Sequence, residues 1–247
     1  ALLPYVAIVA LATIRVKGYS CACNDLPYQR RAADMVKEDR KEEAMSAARF
    51  KQVADASRIE KAVAALNAKG FAAQSVPNAA AAKEAVLKLI PAGSEVFTFT
   101  SATLDATGIT EALNAAPYVS LRDTMYALDR NTQSAQMRAI GSAPAFAAGS
   151  VHAVTEDGKL VIASATGSQL PAYAYGAGHV VFVVGAQKIV KDLAEANERI
   201  ETYTLPLEDT RAQAAYGVNS AINKSLILHG EQPGRIDVVV VAEEIGF

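Results

Sequence analysis

From residue 57 onward, apolar and polar positions fall into short blocks of changing period. Ile59, Val63 and Leu66 recur at helical spacing behind Ser57-x-x-Glu60, a capping-box pattern, and Gly70 closes that helix. Residues 71–76 predict a short strand. Asn78 opens a second helix, whose Val86, Leu87 and Ile90 precede a stop at Pro91. Residues 95–100 alternate as a strand and run through a hydroxyl-rich turn into a helical stretch carrying Leu104, Ile109 and Leu113. A short strand at 118–121 and a mostly helical segment at 124–139 follow. Residues 143–154 are small and apolar, and at least their second half reads as strand. Asp157-Gly158 is the best hairpin turn in the chain, with 159–164 as the returning arm. Residues 168–175 predict a short helix. The run 180–185 is continuously apolar, the mark of a strand buried on both faces. A helix is expected over 189–200, with Lys191, Asp192, Glu195 and Glu198 on its wet side. Residues 206–223 read as irregular with some helix, and 225–229 and 235–241 as terminal strands.

This alternation of helix and strand predicts an α/β class with a mostly parallel sheet, made mixed by the hairpin and the final pair of strands. Three regions are expected. Residues 1–34 break in composition from the rest and read as an N-terminal extension, either upstream sequence or a poorly ordered lead, with a targeting segment as the alternative. Residues 35–56 are a charged helical lead-in, and 57–247 form the α/β domain.

Composition narrows the function. The 247 residues are 51% hydrophobic, enough for a full core. Net charge is −2 and no basic block stands out, which argues against a nucleic-acid surface. The apolar run at 2–14 is too short to span a bilayer, so no membrane role is expected. Cys21 and Cys23 are too close to form an ordinary disulfide, and the three histidines are distant in sequence. No metal site and no cofactor are therefore expected; an iron–sulfur cluster needs more thiolates than the chain holds.

Three segments are candidates for binding chemistry. Ser101 and Thr103 stand where a strand passes into a helix, either as caps alone or also as donors to an anion. Thr166, Gly167, Ser168 and Gln169 also precede a helix, either as an ordinary strand–helix loop or as a loop in which Gly167 lets the backbone approach a ligand closely. Gly185 ends the central strand, and Lys188 beyond it is either a surface residue or a point charge for a phosphate, carboxylate or thioester oxygen. Strand ends of a parallel sheet share one edge, so Ser101, Thr103, Gly167, Ser168 and Lys188 are expected to line one cleft for a small anionic ligand. Lys188 is expected to be partly exposed there, and its removal to cost little stability. His152 reads equally as a hydrogen-bonded core residue, and Glu156 and Asp157 as solvated turn residues. Neither a Walker phosphate loop nor a GxSxG nucleophile motif is present.

Taken in order, five segments resemble the lactate-utilisation (LUD) domain family: the turn with Ser101, Thr103-Leu104 and Gly108-Ile109; the run from His152 to Gly158; the loop 166–169; the strand 180–185 with 187–190; and residues 235–247. The resemblance covers roughly residues 45–247. It implies a three-layer α/β/α fold similar to the ribose-5-phosphate isomerase and CoA-transferase group. It also implies an accessory or small-ligand-binding subunit in the oxidation of lactate or a related organic acid, cytoplasmic, working with iron–sulfur partner subunits. Related members often carry Gly-Asn-Arg where this chain has Gly167-Ser168-Gln169, Asn-Lys for Gln187-Lys188, and Asn-Ala for His152-Ala153. Without that Arg, a bidentate anion donor is missing. Two alternatives follow. One is a stand-alone enzyme on a phosphorylated, CoA-linked or folate-type substrate, with Lys188 or Glu156 as base. The other is a non-catalytic scaffold with a degenerate site.

Overall fold

The computed structural model describes residues 48–247. The expectations for residues 1–34 and for most of the lead-in, Cys21 and Cys23 included, lie outside the described residues.

The main sheet has six strands, all parallel, in the order β1 (Ala72–Val76), β10 (Ile236–Val241), β7 (His179–Gly185), β4 (Phe146–Gly149), β2 (Glu95–Thr98) and β3 (Val119–Ser120). The continuous apolar run is explained by the position of β7 between β10 and β4. Val180, Phe182 and Val184 face one core, Val181 and Val183 the other, and all five are fully buried. The first core takes Ile59, Ala62 and Leu66 from α1 (Ala56–Ala68), bordered by Leu121 and Met125 of α5 (Leu121–Tyr126) and Ile140 of α6 (Ser134–Ser142). The second takes Val86 from α2 (Ala79–Leu89), Leu104 from α3 (Ala102–Ala106), and Ile109 and Leu113 from α4 (Ile109–Leu113). Helices thus cover both faces of a parallel sheet, the three-layer α/β/α arrangement.

Among the described residues, antiparallel pairing is confined to a second sheet. β5 (Ala153–Thr155) and β6 (Leu160–Ser164) form the expected hairpin, flanked by β8 (Ile189–Val190) and β9 (Lys224–Leu228) in the order β8-β5-β6-β9. Side-chain alternation gives this sheet two apolar faces. Val154, Leu160 and Ile162 join the α1 core, while Ala153, Val161 and Ala163 meet Val190, Ala196, Ile200 and Tyr203 in a third cluster. The final pair of strands therefore parts company: β9 joins the small sheet and β10 the large one.

Several local expectations need correction. The first helix is capped by Asp55, whose carboxylate accepts from the Arg58 N–H at 2.9 Å, and Ser57 is exposed within the first turn. The helix expected over 124–139 is split, because the Asp129 carboxylate accepts from the Asn131 N–H and the Thr132 hydroxyl and so competes with helical pairing. Ile189 and Val190 are strand, and α7 (Leu193–Arg199) starts only after Asp192, which accepts from the N–H groups of Ala194 and Glu195. The segment expected to be largely irregular is mostly helical. A wide π-type turn, Ile200–Thr204, leads into α8 (Leu205–Tyr216), which Gly217 ends at φ 70°. The hairpin tip docks on α1: a Cβ at Gly158 (φ 80°) would lie 2.6 Å from the Ala65 backbone.

The capping correction is testable. Replacing Asp55 by Ala should cost about 1 kcal/mol in urea unfolding, the usual value of a helix N-cap. Ser57→Ala should stay within about 0.5 kcal/mol, as for a surface position without special contacts. Equal losses would restore the capping box.

Candidate functional site

Lys188 lies at the end of the short turn that leaves β7, and the chain's return into β8 draws it inward. It is only 2% exposed. Its Nζ sits 2.9 Å from the Thr103 Oγ1, 3.1 Å from the Ser150 Oγ and 3.2 Å from the Val151 carbonyl oxygen. Three elements meet there: α3 brings Thr103, the segment leaving β4 brings Ser150 and Val151, and β7 brings the lysine. All three lie at the carboxyl edge of the parallel sheet, where open α/β sheets place their sites. None of the three partners is anionic. Burial, and then the positive charge of Arg199, hold the Lys188 pKa well below its ordinary value.

Two further basic side chains adjoin it. Arg199 is 0% exposed, donates from Nη1 to the His152 carbonyl at 2.6 Å and to the Thr204 Oγ1 at 2.9 Å, and lies over the Tyr203 ring at 5.0 Å. Its Nε and Nη2 are buried without a hydrogen-bond partner. The consecutive carbonyls of Val151 and His152 thus serve Lys188 and Arg199 in turn. His152 is half-buried, and its Nδ1 accepts from the Ala163 N–H at 3.1 Å. Burial, then Lys188 and Arg199, lower its pKa from 6.5 to about 3. The imidazole is therefore neutral at neutral pH.

The C-terminal segment lies against this group. The Gln187 amide donates to the carbonyls of Ile245 and Gly246 and accepts from the Ile245 N–H. The Thr103 hydroxyl lies 3.4 Å from the Ile245 carbonyl, and a Cβ on Gly246 would meet that hydroxyl at 2.4 Å. Gly185 has its own reason to be glycine: a Cβ there would lie 2.1 Å from the Gln187 Oε1.

A family model, that of the LUD domain, matches residues 59–241. The chain belongs to the LUD domain family. Among solved structures, it is similar to a DUF162 family protein from Deinococcus radiodurans, at 15% identity and a TM-score of 0.49, covering 77% of this chain and 99% of that one. No curated protein matches it.

Within this LUD domain the sequence-predicted residues are placed unevenly. Thr103 and Lys188 meet directly. Ser101 caps α3, its Oγ accepting from the Leu104 N–H at 3.3 Å, and five-residue α3 is too short to carry much of a dipole. The loop 166–169 follows β6, which belongs to the small sheet, so the argument from parallel strand ends does not apply to it. Antiparallel pairing sets Ala163, near the end of β6, beside His152. The loop's own side-chain hydrogen bonds are local. The Gly167 N–H donates to the Ser164 Oγ, that hydroxyl donates to the Gln169 Oε1, and the hydroxyls of Thr166 and Ser168 pair at 3.2 Å. The Lys224 ammonium donates to the Thr166 carbonyl, and its stem fills the space a Cβ on Gly167 would need.

One expectation is overturned. Lys188 is buried where partial exposure was expected, because its side chain turns inward to Thr103, Ser150 and Val151. Its removal leaves a void and unpaired polar groups, the class of change that costs several kcal/mol. Glu156, the other candidate base, is gripped by Arg58 and Lys61 of α1 at 2.9 and 2.6 Å, and its pKa is lowered, chiefly by the Lys61 hydrogen bond. Sequence reasoning did not single out Ser150, Arg199 or Lys224. Ser150 was hidden in a run of small residues, and Arg199 in a helix read for its wet side. Two surface recesses of about 360 and 310 Å³ lie elsewhere, around α2, and neither is lined by Lys188 or Ser150. Among the described residues no group of three or more His, Cys, Asp or Glu is placed to hold a metal ion, and no helix is long and apolar enough to cross a membrane.

The neutral histidine sets a pH dependence. The unfolded chain takes up a proton at this position as pH falls below 6.5, and the folded chain resists until about pH 3. Stability from His152 is therefore present above pH 6.5 and lost as pH falls through that window. His152→Asn supplies an amide oxygen to accept from Ala163 and does not titrate. Denaturant unfolding from pH 7 to 3 should show the wild type losing more stability than this variant, and parallel curves would contradict the assignment.

Proposed function

We propose that this LUD domain binds a small organic anion at the carboxyl edge of its main sheet, as an accessory subunit in the oxidation of lactate or a related organic acid. The observation that carries the reading is the grouping of Lys188, His152 and Arg199 around two consecutive carbonyls, with no carboxylate among their hydrogen-bond partners in the described residues. Buried basic groups without an acid favour a ligand that brings the negative charge. Half-buried Ser150 gives the edge a polar hydroxyl next to that charge. Iron–sulfur partner subunits, from the family resemblance, would supply the redox chemistry, and a cytoplasmic location belongs to the same reading.

Binding by this mechanism carries a proton with it. An anion beside Lys188 favours the ammonium form, so binding strengthens as pH falls through the lysine's lowered pKa. Thermal shift against lactate, pyruvate, other 2-hydroxy and 2-oxo acids, nucleotides, CoA esters and folates tests it. Ligand at about 100 times Kd adds about 2.7 kcal/mol of stability. The expected result is a rise in Tm with small organic acids, growing as pH is lowered and absent in Lys188→Met. A response confined to nucleotides, CoA esters or folates would instead favour the stand-alone enzyme.

A further inference from the structure

The hydrogen-bond arithmetic around Lys188 points beyond binding. A neutral amine has two hydrogens and one lone pair, and three oxygens lie within reach. The Val151 carbonyl can only accept, so it takes one hydrogen. The Thr103 hydroxyl faces the Ile245 carbonyl, which also can only accept; with its own hydrogen directed there, Thr103 takes the amine's second hydrogen. Ser150 remains: its hydroxyl accepts from the charged ammonium at 3.1 Å and donates to the Val151 carbonyl at 3.3 Å, and when the amine is neutral its O–H can turn from that carbonyl to the nearer nitrogen lone pair. That is the arrangement of a serine nucleophile beside a lysine base. Ser150 is half-buried, so the oxygen next to the buried amine lies in a residue that solvent reaches.

We propose that Ser150 is a nucleophile activated by Lys188, and that this edge of the domain accepts the acyl group of a small activated ester or thioester. In the first step the Ser150 Oγ bonds to the acyl carbon as its proton passes to the Lys188 Nζ. The tetrahedral adduct then collapses, the bond to the leaving oxygen or sulfur breaks, and the leaving group takes the proton from Lys188. Water repeats the two steps on acyl-Ser150, releasing the acid and restoring the hydroxyl. Thr103 and Val151 position the amine. The inference rests on the geometry of these four residues and not on the identity of the organic anion, so either reading can fail without the other.

The test treats the full chain with a fluorophosphonate, and separately with p-nitrophenyl acetate and an acetyl thioester, and locates adducts by peptide mass spectrometry. A phosphonyl adduct on Ser150 is expected, lost in Ser150→Ala and slowed about a hundredfold or more in Lys188→Met, the lower end of what a general base contributes. An acetyl adduct from one of the two acyl donors, and the faster of them, identifies the ester or thioester class. Should Lys188→Met fail to fold, the wild-type pH profile decides. The titratable groups facing Lys188 are His152 and Arg199, with the Tyr173 hydroxyl against Gly149. With Lys188 as base, the labelling rate levels off well below the pH at which an ordinary lysine titrates. A folded protein without label on Ser150, equal labelling in folded Lys188→Met, or a rate that climbs with hydroxide to pH 11 would each overturn the proposal.

Discussion

The site depends on one constraint, a lysine buried without a counter-charge. Taking an ammonium out of water costs several kcal/mol even after the protein relaxes, and hydroxyls and a carbonyl do not repay that as a carboxylate would. The folded state therefore favours the neutral amine, and neighbouring Arg199 pushes the same way. Arg199 itself stays charged at neutral pH, held by two acceptors and the face of Tyr203. Lys188 with its lowered pKa, neutral His152 and charged Arg199 make a region that is basic in composition yet resists taking up protons. Such a region can respond to an anion, or to a hydroxyl, by taking one up.

The fold creates this constraint by joining two sheets through short connections. β4 leaves the parallel sheet at Gly149 and becomes β5 of the small sheet within four residues; β7 leaves at Gly185 and becomes β8 within four more. Both crossings pass the carboxyl edge, and β5 and β8 then pair in parallel. Ser150, Val151 and Lys188 occupy these paired crossings, so their contact follows from topology. Gly149 is part of the design, because a Cβ there would overlap the Tyr173 hydroxyl. The C-terminal segment completes the enclosure through the Gln187 amide and the Ile245 carbonyl.

Much of the fold was legible because its signals are local. The run at 180–185 announced a strand covered on both faces, Asp157-Gly158 announced the hairpin, and Asn78 announced a helix start. The family was legible from the order of five such segments, none of them specific alone. What resisted reading depends on partners distant in sequence. Ile189-Val190 looked like a helix start because nothing local reveals that β5 waits to pair with it. Lys188 looked like a surface lysine because its partners are 85, 38 and 37 residues away. Ser150 carried no motif at all, and only the crossing of β4 into β5 gives it a neighbour with chemistry.

The central claim is the ionisation state of Lys188, and nitrogen NMR of its side chain reads that directly. Protein labelled with ¹⁵N at the lysine side chains, with Lys188→Met to assign the resonance, is titrated from pH 5 to 11. The account predicts that the Lys188 Nζ changes shift well below the ordinary lysine value of about 10.4. A Lys188 resonance that stays an ammonium up to pH 10 and titrates with the surface lysines would contradict it.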